Sequence, residues 1–284
     1  MRFFPLPGRR QIAIALLGGC LALPLSVARA ADLRVGFMPG PYRDAFQRGI
    51  APQLEKLGWR IQYIEFSQGV QPNDAVARGQ IDANIFQHTV YLEASNERNQ
   101  FDLVPLVHVP TPPMGLYSKR HKRLADVPDG ATVTLPADPV NAARALRILE
   151  AAGWVTIRPG VDPVKLSERD LSSNPKKLRL VPLDAAQAPR SLEDADLAAI
   201  QGNFAIAYGL RLTEALKLEA MALPYVNVVA VKRDKQNSKF AQDLVTAYKS
   251  PEFQKVFEAE PTWRGYRLPD YFAGSVRAET GAAR

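Results

Sequence analysis

LRVGFMPGPYRDAFQRGIAPQLEKLGWRIQYIEFSQGVQPNDAVARGQIDANIF, residues 33–86, decides the fold. Leu33 to Phe37 has the pattern of a short strand and runs into the turn Met38-Pro39-Gly40-Pro41. From Asp44 to Leu57 the residues Phe46, Ile50, Leu54 and Leu57 recur at helical spacing, which predicts a helix stopped by Gly58. Arg60 to Phe66 predicts a second strand, Asn73 caps a short helix through Arg78, and Ile81 to Phe86 predicts a third strand. Strand and helix alternate within about fifty residues, so a parallel sheet with covering helices follows.

Further along, Leu103 to Val109 predicts a strand, and Pro110, Pro112 and Pro113 then stiffen the chain as a crossover would. The pattern restarts after them. Thr132–Leu135, Leu178–Leu183 and Leu197–Ile200 predict strands, and Pro139–Ala152 predicts a helix ended by Gly153. Pro189–Asp194 predicts a short helix, and Tyr225 to Val231 is β-rich and reads as a return crossover. Lys239–Tyr248 and Pro251–Glu258 predict closing helices. The fold class is therefore α/β and bilobal, two α/β lobes joined by two crossovers. Lobe 1 takes 31–112 and 223–273, lobe 2 takes 113–222, and 274–284 reads as a disordered tail. One echo supports two equivalent lobes: Asp82-Ala-Asn-Ile-Phe-Gln87 and Asp196-Leu-Ala-Ala-Ile-Gln201. Ligands in open α/β sheets sit beyond the carboxyl ends of strands, so both ends would face one cleft.

Residues 1–30 read as a secretory signal. Arg2, Arg9 and Arg10 precede the largely apolar run Ile12–Val27, and Ala28-Arg29-Ala30 is a small-x-small cleavage site. Leu17-Gly18-Gly19-Cys20 offers an alternative, a lipobox with Cys20 as the lipidated residue. Cleavage after Ala30 is favoured because the apolar run continues past Cys20. The expected location is the periplasm, with the membrane involved only through a transport partner or that anchor. Of the net charge of +7, four charges lie in residues 1–30, leaving +3 for the other 254 residues. Basicity therefore does not point to nucleic acid. One cysteine and three histidines leave no disulfide framework and little material for a metal site.

Arg144 stands out in the helix that begins at Asp138-Pro139. The helix buries Ala142, Ala145, Leu146 and Leu149, so Asn141 and Arg144 share a neighbouring face. An amide and a guanidinium together hold a carboxylate, or the arginine is solvated and pairs with a nearby acid. Phe86, His88 and Tyr91 form either an aromatic wall for an apolar side chain or ordinary core with a surface histidine. Tyr117, Tyr225 and Asn227 lie beside the crossovers, as cleft floor or as hinge packing. Serine-hydrolase, Walker, dinucleotide and zincin signatures are absent, so no cofactor is expected, and an enzyme with His88 as its one cleft candidate, or a surface interaction protein, stands only as a lesser alternative.

With these segments in hand, the sequence resembles the NlpA/MetQ group, the methionine-binding proteins of ABC importers, from about Leu33 to Leu268. The resemblance is carried by Val35-Gly36 with Gly40-Pro41, Gln71-Pro72-Asn73, Gly79-Gln-Ile-Asp82-Ala-Asn84, Phe86-Gln87-His88 with Tyr91-Leu92, and Gly115-Leu-Tyr117-Ser118-Lys119. It continues through Asp138-Pro139 with Asn141 and Arg144-Ala-Leu146, Asn174-Pro175, Pro189-Arg190 and Tyr225-Val-Asn227. It implies a periplasmic-binding-protein type II fold, a monomer that closes over an amino acid and delivers it to a permease with its ATPase. It also implies that Arg144 and Asn141 grip the ligand carboxylate and that Phe86, His88, Tyr91 and Tyr117 form the wall. Gln201, Asn203, Tyr225 and Asn227 complete the set, with Gln201 or Asn227 meeting the ammonium.

Two departures bear on the ligand. The family has Asp-Tyr where Gln68-Gly69 stand here, and Ile-Asn where Ile200-Gln201 stand. A tyrosine replaced by glycine leaves space, and glutamine for asparagine moves an amide by one methylene. His88-Thr89-Val90 also lacks the family's proline before the tyrosine. The resemblance thus leaves open L- or D-methionine, a related amino acid or a small peptide.

Overall fold

The structure is a computed structural model that describes Met1 and residues 31–272. The signal segment with Cys20, and the tail from Gly274, lie outside the described residues. The opening stretch forms β1 (Ala31–Phe37), β2 (Trp59–Glu65) and β3 (Ala83–His88), and β1 pairs parallel with both. Helices α1 (Pro41–Ala45) and α2 (Ala51–Lys56) connect β1 to β2, and α3 (Gln71–Ala77) connects β2 to β3. Helix α4 (Thr89–Asn99) leads to β4 (Leu103–His108).

The chain then crosses to a second sheet through β5 (Gly115–Tyr117) and β6 (Thr132–Pro136). Helix α5 (Pro139–Ala151) follows, and then a small pair, β7 (Thr156–Ile157) with β8 (Leu171–Ser173). The second sheet is completed by β9 (Arg179–Leu183), β10 (Leu197–Ile200) and, after α6 (Gly202–Ala207), β11 (Lys217–Leu218). Strand β12 (Asn227–Lys232) returns to the first sheet, and α7 (Lys239–Tyr248) and α8 (Pro251–Glu258) pack on it.

The strand orders are β2-β1-β3-β12-β4 and β11-β5-β10-β6-β9. Reversing the second shows one plan used twice: three parallel strands, then an antiparallel one. The acid–glutamine echo falls on the equivalent central strands β3 and β10. Asp82 Oδ2 accepts from the backbone N–H of Arg34 at 2.8 Å, and Asp196 Oδ2 accepts from that of Thr132 at 2.8 Å. Each acid thus bonds a backbone N–H of the neighbouring parallel strand, midway along β1 and at the first residue of β6, and each glutamine is carried to the cleft end.

Two local expectations fail for identifiable reasons. The single helix expected over Asp44–Leu57 starts earlier and is interrupted by a π-helical turn, Phe46–Ile50. Pro52 has no N–H for the carbonyl of Arg48, and the chain widens there. Leu57, expected on the apolar stripe, is 52% exposed past the last turn. Asn73 is not a cap: α3 begins at Gln71, with Pro72 in its first turn, and the Asn73 side chain is fully buried. By contrast, Asp138 caps α5 by accepting from the N–H of Asn141 at 2.9 Å, with Pro139 at the first helical position.

The lobes hold separate cores. Phe37, Phe46, Phe253 and Tyr248 pack about the first sheet, and Leu116, Val133, Leu146 and Leu149 about the second. They approach each other closely at Gly202, whose added Cβ would lie 2.6 Å from Pro112 Cβ and 2.6 Å from the Pro113 carbonyl oxygen. The obstacle includes backbone of the stiff crossover, so it cannot rotate away. Gly202→Ala is expected to destabilise the fold by about 1–3 kcal/mol. Urea unfolding with an unchanged midpoint would show that the crossover yields.

Candidate ligand-binding site

Between the lobes lies a cavity of about 400 Å³. The first lobe contributes Met38, Tyr42, Gly69, Phe86, Gln87, His88 and Tyr91; Thr111 and Asn227 come from the crossovers. The second lobe contributes Asp138, Asn141, Arg144, Asp184, Gln201, Asn203 and Phe204. Of the residues singled out in the sequence, Phe86, His88, Tyr91, Asn141, Arg144, Gln201, Asn203 and Asn227 therefore line one space.

Tyr117 and Tyr225 do not. Tyr117 is 1% exposed and packs against Ala188, Leu192 and Ala198 in the second lobe, its hydroxyl buried without a hydrogen-bond partner. Strand β5 pairs antiparallel with β10 and turns that side chain into the lobe's own core. Tyr225 stands behind the wall: its ring lies edge-on to His88 at 5.2 Å, and the Arg144 guanidinium lies 5.5 Å from its centroid.

Arg144, 5% exposed, is held on three sides. Its Nε donates to Glu219 Oε2 at 2.9 Å, its Nη2 donates to Glu219 Oε1, and its Nη1 donates to Asn141 Oδ1 at 2.9 Å. Burial opposes its charge, but the facing Glu219 carboxylate outweighs burial and keeps the guanidinium protonated. One N–H on each of Nη1 and Nη2 is left for a ligand. Asn141 is committed to the protein, with its Nδ2 donating to both Asp138 oxygens at 3.1 Å. Its Oδ1 also meets His88 Nε2 at 3.3 Å, a contact between the lobes.

His88 ends β3 and caps α4. Its Nδ1 accepts from the backbone N–H of Tyr91 at 3.2 Å, which leaves the ring proton on Nε2 to be donated to Asn141. Burial, and then the charge of Arg144, push its pKa down to about 3. The folded protein holds the ring neutral, while the unfolded chain takes up a proton below about pH 6.5. Stability is therefore full above that pH and is lost as pH falls toward 3, by up to about 1.4 kcal/mol per unit. Between pH 7 and 4.5 the wild type should lose roughly 2 kcal/mol more than His88→Gln in urea titrations. Equal losses would contradict the assignment.

On the remaining wall the rings of Phe86 and Tyr91 meet edge-on at 6.0 Å. Gly69 lines the cavity, but a Cβ there would lie 3.3 Å from the Tyr91 hydroxyl, closer than ordinary contact, so the Tyr91 ring takes up the room that the sequence comparison with the family's tyrosine leads one to expect. Two amides fasten the rim and floor: Asn203 Nδ2 donates to the Pro39 carbonyl at 3.0 Å, and Asn227 Nδ2 donates to Tyr42 Oη at 2.8 Å. Gln201 Oε1 is buried with no hydrogen-bond partner, a free acceptor on a cavity-lining side chain.

Sequence reasoning missed Tyr42, Thr111, Asp184 and Phe204 as lining residues, and Glu219 as the partner of Arg144. Asp138, a further lining residue not singled out, did carry a usable signal, the Asp-Pro start of α5. Glu219 is 75 residues from Arg144 in sequence and has no local pattern to mark it.

The family model described as NlpA lipoprotein matches residues 33–270. The D-methionine-binding lipoprotein MetQ of Salmonella typhi is 34% identical over 253 residues, covering 87% of this chain and 92% of its own. A periplasmic substrate-binding protein of an ABC transporter from Coxiella burnetii superimposes with a TM-score of 0.75 at 40% identity, over 80% of this chain and 95% of its own. A nutrient-binding protein from Burkholderia cenocepacia, solved bound to methionine, gives 0.76 at 37% identity over 80% and 95%.

Proposed function

The chain belongs to the NlpA lipoprotein family, and from that premise we propose that it captures a zwitterionic amino acid between its lobes and hands it to an ABC importer. The ligand is L- or D-methionine, or a related amino acid or small peptide. The observation that carries the reading is Arg144, the one lysine or arginine among the described residues lining the cavity, buried with two N–H groups left over. Those two donors match the two oxygens of a carboxylate. The ammonium goes to the unpartnered Gln201 Oε1, and the side chain goes to Phe86 and Tyr91. Tyr117 and Tyr225 support the site from outside it.

Burying a methionine-sized side chain contributes about 1.5–3 kcal/mol, and each charge-assisted hydrogen bond about 1.5–3 kcal/mol. After ordering and association costs, micromolar to nanomolar binding follows. Capture involves no bond-making, and closure of the lobes presents the form a permease recognises. The protein acts as a periplasmic monomer cut after Ala30, or as a lipid-anchored one on Cys20; the intact mass of exported protein separates the two. A thermal-shift panel of L- and D-amino acids and methionine-containing dipeptides tests the reading. A true ligand at a hundred times its Kd stabilises by about 2.7 kcal/mol, and no shift across the panel would refute it.

A further inference from the structure

Glu219 follows β11 directly, on the segment that leads back toward the first lobe, and it does not line the cavity. Its side chain is nonetheless 8% exposed and faces Arg144 with both carboxylate oxygens. The same residue brackets Met114 on the outgoing crossover. Oε1 accepts from the Met114 N–H at 2.5 Å, and the Glu219 N–H donates to the Met114 carbonyl at 3.0 Å. The Arg144 guanidinium is thus tied through Glu219 to one crossover and rests near Tyr225 at the approach to the other.

A carboxylate grip needs its two donors aimed before the ligand arrives, because an arginine free to rotate loses the fork geometry that makes it bidentate. We infer that Glu219 is the positioning residue of the grip. It fixes which edge of the Arg144 guanidinium a ligand meets, and it fastens that edge to the hinge backbone at Met114. The inference rests on the reading of Arg144 as the carboxylate receptor. Charge alone predicts the opposite effect: Glu219 neutralises Arg144, so its removal would strengthen attraction for an anion. The two roles are therefore separable by experiment.

Calorimetric titration of the full chain with L-methionine, D-methionine and methionine amide compares wild type with Glu219→Asp and Glu219→Gln. Glu219→Asp keeps the charge and withdraws the carboxylate by one methylene, so the fold is retained if Glu219→Gln does not fold. Positioning predicts at least about tenfold weaker binding of the carboxylate-bearing probes in both variants, with the amide changed less than about twofold. An equal loss for both kinds of probe, or tighter methionine binding by Glu219→Gln, overturns the inference. The ¹⁵N spectrum of the ligand-free protein gives a second readout, with the Arg144 Nε–H resonance identified by its loss in Arg144→Lys. That signal should be sharp and exchange-protected in wild type and lost to exchange in both Glu219 variants; its persistence overturns the inference. If wild type binds neither methionine enantiomer, the ligand reading fails, and the Nε–H signal still decides the role of Glu219.

Discussion

Replacing Arg144 is expected to abolish capture, and the cleanest form of the experiment removes its partner as well. Arg144→Ala alone would leave the Glu219 carboxylate buried without its cation, since the two side chains are 5% and 8% exposed. That costs about 3–5 kcal/mol of stability, so a lost titration could be mistaken for a lost site. This differs from what the sequence suggests, because spacing on α5 does not show that the guanidinium holds the lobe together. Arg144→Met combined with Glu219→Gln removes both charges at similar volume, and the glutamine Oε1 can still accept from Met114. The ligand then forfeits two charge-assisted hydrogen bonds of about 1.5–3 kcal/mol each. Affinity should fall roughly a hundred- to ten-thousand-fold. Calorimetric affinity within a few-fold of wild type would dismiss Arg144 as the receptor.

The second large effect concerns stability and lies behind the first-lobe wall. Asn73, fully buried, donates through Nδ2 to Gln87 Oε1 at 2.8 Å and to Ser95 Oγ at 3.0 Å. Its Oδ1 accepts from Asn84 at 2.8 Å and also from the Gln87 amide. Every partner is buried. Asn73→Leu would therefore take the Asn73 partner from Asn84 Nδ2 and from Gln87 Oε1, each at about 1–3 kcal/mol, while Gln87 Nε2 keeps its 3.0 Å bond to Asn84 Oδ1. A loss of roughly 3–5 kcal/mol, with melting lowered by about 10 °C, is expected. Ser95→Ala removes one weaker link and should cost about 1 kcal/mol. A change below about 1 kcal/mol for Asn73→Leu would mean the network is not cooperative. Because Gln87 immediately precedes His88 at the end of β3, the same variant should also loosen the wall.

How much of this was legible in the sequence follows from which interactions are local. The strand–helix alternation of residues 33–86, the Asp138-Pro139 helix start and the two closing helices are written in short-range pattern, and the structure has them at nearly those positions. The echo of Asp82 and Asp196 is legible because both acids solve one problem, bonding a backbone N–H of the neighbouring parallel strand. The π turn was hidden because apolar spacing is almost the same for a regular helix and for one widened before Pro52. Asn73 carries the features of a cap, and only burial by β3 and α4 shows it to be a network centre. Tyr117 could not be separated from a lining residue by sequence, since the antiparallel register of β5 on β10 decides which way its ring points. The Arg144–Glu219 pair, which sets the chemistry of the site, depends wholly on tertiary contact.

Native mass spectrometry of freshly exported protein, run in parallel on wild type and on Arg144→Met/Glu219→Gln, tests the central claim most directly. The account predicts a co-purified adduct with the mass of an amino acid or small peptide on the wild type, and bare protein for the double variant. The same adduct on both proteins would contradict it.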